Sequence, residues 1–237
     1  MPDTKRRDTD GDINLRHGGR ASDTCPRCHH ARNKKDKGKL LHGIPEVTDS
    51  EKLRSVVGQI GDNLRKDKSL VGDQKAFFMM GVLEAKISGH EYFLVASSGR
   101  TAEPWITAKH LDGITYHPGK WAQVNPDLPK NNKGWLTVRG EEVDLGTGIA
   151  HVTKGCSAVK LLLGLGKKHL DWKSVDYLRM SEMVYVGADA TDADVMRAWH
   201  GHGATNSWTA HSCDPCEARI PYLICDVPAN LIVDRTG

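Results

Sequence analysis

The residues whose types and spacing best permit chemistry are three cysteines. Cys213 and Cys216 stand in C-x-x-C spacing within "HSCDPCEARI", and Cys156 opens "KGCSAVKLL" 57 residues earlier. A structural zinc takes four protein ligands, whereas a catalytic zinc takes three and keeps one position open for water. Cys156, Cys213 and Cys216 supply three thiolates, so Zn2+ with an open position is the chemistry they predict. A lone cysteine at a helix start is also a common small core residue. The C-x-x-C pair carries more weight, and the combination in this order more still.

A second cluster lies near the N-terminus in "CPRCHH". Here Cys25, Cys28 and either His29 or His30 could bind zinc, with His17 or His42 in reach as the fourth ligand. A single C-x-x-C without a matching half is incomplete, so a tail without metal is the competing reading. With zinc, the neighbouring Arg27, Arg32, Lys34, Lys35 and Lys37 would form a small nucleic-acid clamp. Cys225, the last of six cysteines, reads as plain core. Two C-x-x-C pairs in a chain of 237 residues suggest zinc in a reducing compartment rather than a disulfide framework.

Several elements must position these groups. Residues 1–43 are polar and charged without sustained period and read as a basic flexible tail, leaving 44–237 as the folded domain. In "TDSEKLRSVVGQIGDNLRK", cap residues precede Leu53, Val56, Val57, Ile60 and Leu64 at helical spacing. Apolar runs from Phe77 to Ile87 and from Tyr92 to Ala96, separated by "SGHE", predict an antiparallel hairpin. Residues 100–147 hold only short strand-like pieces, "GITYH" and "GWLTVRG", and read as a long functional insertion. "GCSAVKLLLGLG" predicts a buried helix and "EMVYVGADA" a central strand. A second insertion, "TDADVMRAWHGHGATNSWTAH", leads to the cysteine pair. "EARIPYLI" then predicts a short helix that Pro221 ends or kinks. This order predicts an α/β protein, a three-layer α/β/α sandwich with a mixed sheet and long loop insertions.

Bulk properties narrow the function classes. The chain is 38% apolar and 27% charged, the balance of a globular protein. No apolar run, "LLLGLG" included, approaches the roughly 20 residues that cross a membrane, and the N-terminus shows no charged-then-apolar leader pattern. The formal charge of +3 is uneven: residues 1–40 hold 11 Lys/Arg against six Asp, and the remainder is slightly acidic. Alone, that tail predicts weak, salt-sensitive attraction to phosphates, or simply a solvated segment.

The cysteine pattern and the order of elements resemble the zinc-dependent cytidine deaminase-like superfamily. Its signature is H/C-x-E on one helix and P-C-x-x-C on the next. Cysteine as first ligand resembles the bacterial polymorphic-toxin, YwqJ-like branch, and "NSWTAHSCDPC" is similar to the Trp-Ser run of polynucleotide cytidine deaminases. The resemblance covers the layout of residues 50–237 but only about a dozen motif residues. It implies a cytidine deaminase-type sandwich and hydrolysis of an exocyclic amine, most readily that of cytosine. It also implies single-stranded DNA as partner, with double-stranded DNA or RNA as alternatives, and an immunity protein. The setting it implies is the cytoplasm of the cell where a delivered toxin acts.

Three departures stand out. Ser212 replaces the proline before Cys213, and the spacing between ligand helices requires an insertion around 191–211. Ala158 occupies the position of the expected glutamate, the general acid/base of the reaction. Either the chain is a catalytically dead Glu-to-Ala form or it is a natural relative that keeps zinc as a structural element. A non-catalytic zinc-stabilised binding module, or a closed zinc-ribbon-like interaction protein, is the alternative function. For substrate contacts, position in the family points to Ser97 and Ser98. Trp199 and Trp208 could stack on a base, and His200, His202 and His211 could touch it or its phosphates.

Overall fold

A computed structural model describes residues 16–17, 24–31, 34–44, 47–73, 76–99, 102–191, 208–209 and 213–233. Three α-helices lie among them: α1 (Glu51–Lys66), α2 (Ser157–Gly166) and α3 (Asp214–Ile224). The main sheet has seven strands: β1 (Arg16–His17), β2 (Val47–Thr48), β3 (Phe77–Ile87), β4 (His90–Ser97), β5 (Ala122–Gln123), β6 (Val175–Val186) and β7 (Trp208–Thr209). Its order is β1-β2-β6-β3-β4-β5, with β7 paired to β6. The sheet is mixed, because β2 runs parallel to β6 and β5 parallel to β4, while the other pairings are antiparallel.

Alternation along β3 sorts the core into two halves. Phe78, Met80 and Val82 pack with Leu53, Val56, Val57, Ile60 and Leu64 of α1. Leu83, Ala85 and Ile87 pack with α2 and α3. Period-two side-chain placement meeting period-3.6 helical faces gives an α/β arrangement compatible with a sandwich. The first helix starts where its cap predicts, since Ser50 Oγ accepts from the Leu53 N–H at 3.2 Å. The hairpin turns at Ser88 and Gly89, both at positive φ, which suits a two-residue turn between twisted strands.

Some local expectations are corrected. "GITYH" forms no strand, and "GWLTVRG" contributes only Trp135–Leu136, paired with Glu142–Val143. The central strand begins at Val175, seven residues before the apolar run suggested. Pro221 does not end α3, which continues through it to Ile224. The residues described ahead of Ile44 pack on the domain: Cys25 and His42 are buried, and Arg27 donates to the Tyr222 carbonyl at 3.3 Å. Most of the second insertion, with Trp199, His200, His202 and His211, lies outside the described residues. Among the described residues no helix is long and apolar enough to cross a membrane.

Candidate metal centre

Cys156 is the N-cap residue of α2 and Cys213 that of α3, with Cys216 in the first turn of α3. The two helices pack side by side, so their N-terminal ends bring the three sulfurs together. Cys156 Sγ lies 3.7 Å from Cys213 Sγ, which lies 3.6 Å from Cys216 Sγ. All three are within 4.8 Å of one another and could hold a metal ion. Tetrahedral bonds of about 2.3 Å to zinc would set sulfurs about 3.8 Å apart, so the spacing fits that ion without rearrangement.

Behind the sulfurs sits Arg219, fully buried. Its guanidinium donates to Cys156 Sγ at 3.1 Å, to the Pro215 carbonyl at 2.8 Å, and to the Val152 and Lys154 carbonyls at 2.7 and 2.9 Å. One side chain of α3 thus gathers the segment leading into α2 and offsets thiolate charge. Among the three thiols, Cys156 is held down to about 3, first by hydrogen bonds from Cys213 and Cys216 and then by Arg219. Cys213 and Cys216 are pushed up because each donates to Cys156.

A cavity of about 120 Å³ opens beside the cysteines, bordered by Phe77, Met79, Ser98, Lys154 and Glu182. Glu182 on β6 is 2% exposed, and its Oε1 accepts from the Ser157 hydroxyl and from the Ala158 N–H at 3.2 Å. Gly81 stands opposite it on β3. A Cβ there would come within 3.4 Å of both Glu182 Cγ and Ser157 Cβ and 3.1 Å of Leu161 Cδ1, so glycine leaves the room this carboxylate occupies. Lys160, also buried, donates to the carbonyls of Ser97 and Gly99 at 3.0 and 2.7 Å. Burial lowers its pKa to about 8.

The predicted substrate residues separate. Ser98 borders the cavity, but its hydroxyl accepts from the Met79 N–H at 2.9 Å. Ser97 is buried and is not among the residues bordering it. Ala158 is fully buried at the start of α2. Trp208 pairs through its backbone with Val184, and its side chain is outside the described residues, as is all of His211. Sequence reasoning missed Glu182 and Arg219. A glutamate opening a run expected to be central, and an arginine three residues after Cys216 on the same helical face, were the available signals.

A second group could also hold a metal: Cys25, Cys28, His42 and Cys225. It uses the C-x-x-C of the N-terminal segment and His42. His29 and His30 are exposed and stand outside the group, and Cys225, expected as core, stands within it. In comparisons with known proteins, no family model, no curated protein and no solved structure matches this chain.

Proposed function

We propose that this chain is a zinc-dependent nucleobase deaminase domain acting on nucleic acid, with cytosine the favoured base and the general acid/base position occupied by Ala158. The observation that carries the reading is a set of three cysteine sulfurs at zinc spacing beside a small cavity, with a buried carboxylate on its wall. Cys156, Cys213 and Cys216 would hold the metal, and when bound it supplies the Lewis acidity that makes water a nucleophile near neutral pH.

The chain's own residues do the rest. Arg219 offsets charge on the thiolates and orients Cys156. The cavity is small enough for a single base, and an open groove of about 720 Å³ is bordered by Gly99, Asp127, Lys130, Thr153 and Gly155, of which Gly99 and Gly155 are the chain neighbours of the cavity residues Ser98, Lys154 and Cys156. The Gly99 N–H donates to the Gly155 carbonyl at 2.8 Å, which ties two groove residues together. A base extruded into the cavity with flanking nucleotides in the groove is the geometry a polymeric substrate needs. This supports a nucleic acid over a free nucleoside.

Deamination requires a carboxylate to carry a proton from the nucleophile to the leaving amine, and Ala158 has none. The chain as it stands is therefore expected to be inactive, and Ala158→Glu to restore turnover. Glu182 gives a second reading specific support, because it is the carboxylate that borders the cavity with all three cysteines. On that reading the chain is active as it stands and Glu182→Gln abolishes activity.

The test is a sequencing-based assay on single- and double-stranded DNA and RNA, using the chain, Ala158→Glu and Glu182→Gln, all zinc-loaded. Base conversion by Ala158→Glu alone supports the disarmed deaminase, and conversion by the unaltered chain that Glu182→Gln removes supports the second reading. No conversion by any form, with zinc bound, defeats both and favours a zinc-stabilised binding module.

A further inference from the structure

The cluster of Cys25, Cys28, His42 and Cys225 is built from three separate pieces of chain. Cys25 and Cys28 sit in a tight loop closed by the Thr24–Ala31 bridge, with the Cys25 N–H donating to the His30 carbonyl at 2.8 Å. His29, at φ 60, makes the turn and receives no place in the cluster; its N–H donates to the Cys25 carbonyl at 2.9 Å. His42 follows the ribbon of Lys35–Asp36 and Lys39–Leu40, is 2% exposed, and places Nδ1 3.1 Å from Cys28 Sγ. Cys225 caps the C-terminus of α3.

All four ligand atoms lie within 4.8 Å of one another. Three sulfurs and one imidazole nitrogen are the four donors that a tetrahedral zinc takes, which would leave no position for water, as in a structural rather than a catalytic site.

We propose that Cys25, Cys28, His42 and Cys225 form a second, closed zinc centre that clamps the N-terminal segment to the end of α3 and so braces the helix carrying two ligands of the first centre. Helix α3 has 11 residues, about 16 Å of rise, with Cys213 at its start and Cys225 at its end. Helices this short are marginal alone, and Pro221 removes a hydrogen bond from its middle. A metal at each end fixes both termini of an element that its own backbone bonds hold weakly. Arg27 strengthens the clamp at Tyr222, and Arg139 donates to the Asp226 carbonyl at 3.1 Å just beyond it. The proposal is independent of deamination, because its test reads metal and thiol protection.

Zinc content is measured on the full chain and on Cys213→Ser and Cys225→Ser variants after removal of loosely bound metal. Two zinc ions in the unaltered chain and one in each variant are expected. Should a variant misfold, differential alkylation of the unaltered chain, with and without a chelator, reads the same site. Cys25, Cys28 and Cys225 are then expected to be protected together by zinc and exposed together without it. A single zinc that Cys213→Ser removes, or a Cys225 alkylated at one rate in both states while Cys25 is protected, overturns the proposal.

Discussion

Arg219 is the residue on which the first centre most depends outside its ligands. It reaches a sulfur and three carbonyls from a fully buried position, and two of these groups, Cys156 Sγ and the Pro215 carbonyl, are themselves buried and would lose their partner if it were removed. Arg219→Met keeps bulk but strips the charge and the donors. Groups that orient metal ligands are typically worth 10–100-fold in metal affinity, and an uncompensated buried charge costs about 3–5 kcal/mol. Arg219→Met is expected to lose zinc to a competing chelator at 10–100-fold lower chelator strength, and to melt lower than the unaltered chain. An unchanged chelator titration would show that Arg219 only fills space. At the same scale, the cysteine types and their C-x-x-C spacing were legible in the sequence, because a ligand set within one helical turn is local. Cys225 was not, since it meets Cys28 across 197 residues and only the path of the chain brings it there, and His42 was legible only as one of two candidates for the fourth ligand. Glu182 was hidden for another reason: an acidic residue beside an apolar run reads as the strand's edge, whereas β6 extends seven residues further back through mixed polar positions.

Among the elements, α1 is held by its caps as well as by its apolar face. Its C-cap residue, Asp67, lies 2.7 Å from Lys109 Nζ and 2.8 Å from His110 Nε2, and Lys109 first, then Ser69, holds its carboxyl well below the usual range. A depressed carboxyl contributes stability above its ordinary pKa of about 3.9 and loses it as pH falls below that value. Compared with Asp67→Asn, the unaltered chain is expected to melt higher at pH 7, with the gap closing below about pH 4. A gap constant from pH 7 to pH 3 would assign the effect to hydrogen bonding without charge. This helix and the β3–β4 hairpin were readable because each declares itself within about 20 residues by period, cap or turn. The two-residue strands β1, β2, β5 and β7 were not, as none is long enough to show alternation.

Across the whole molecule, the N-terminal segment and the exit from α3 touch at Gly43. A Cβ on Gly43 would fall 1.6 Å from the Val227 carbonyl oxygen, so even alanine must push these segments apart. Gly43→Ala is therefore expected to weaken the Cys25–Cys225 clamp more than the Cys156 centre. Alkylation of Cys28 and Cys225 should accelerate at least several-fold while Cys213 stays protected, and equal acceleration at all sites would indicate general unfolding instead. The sequence-level division at residue 43 reflects composition, which falls in charge there. It could not register that a polar segment docks through a few sulfurs and one histidine rather than through an apolar face.

All six cysteines belong to these two groups, three in each. Each group joins early residues to late ones: Cys156 waits for Cys213 and Cys216, while Cys25, Cys28 and His42 wait for Cys225. At about 5–20 residues per second of synthesis, the N-terminal ligands stand open for roughly ten seconds or more before their partner exists. Neither group is complete until Cys213, Cys216 and Cys225 have been synthesised, so metal capture by all the ligands of either group follows the synthesis of α3. Whatever activity depends on that metal switches on only once α3 has been synthesised and docked.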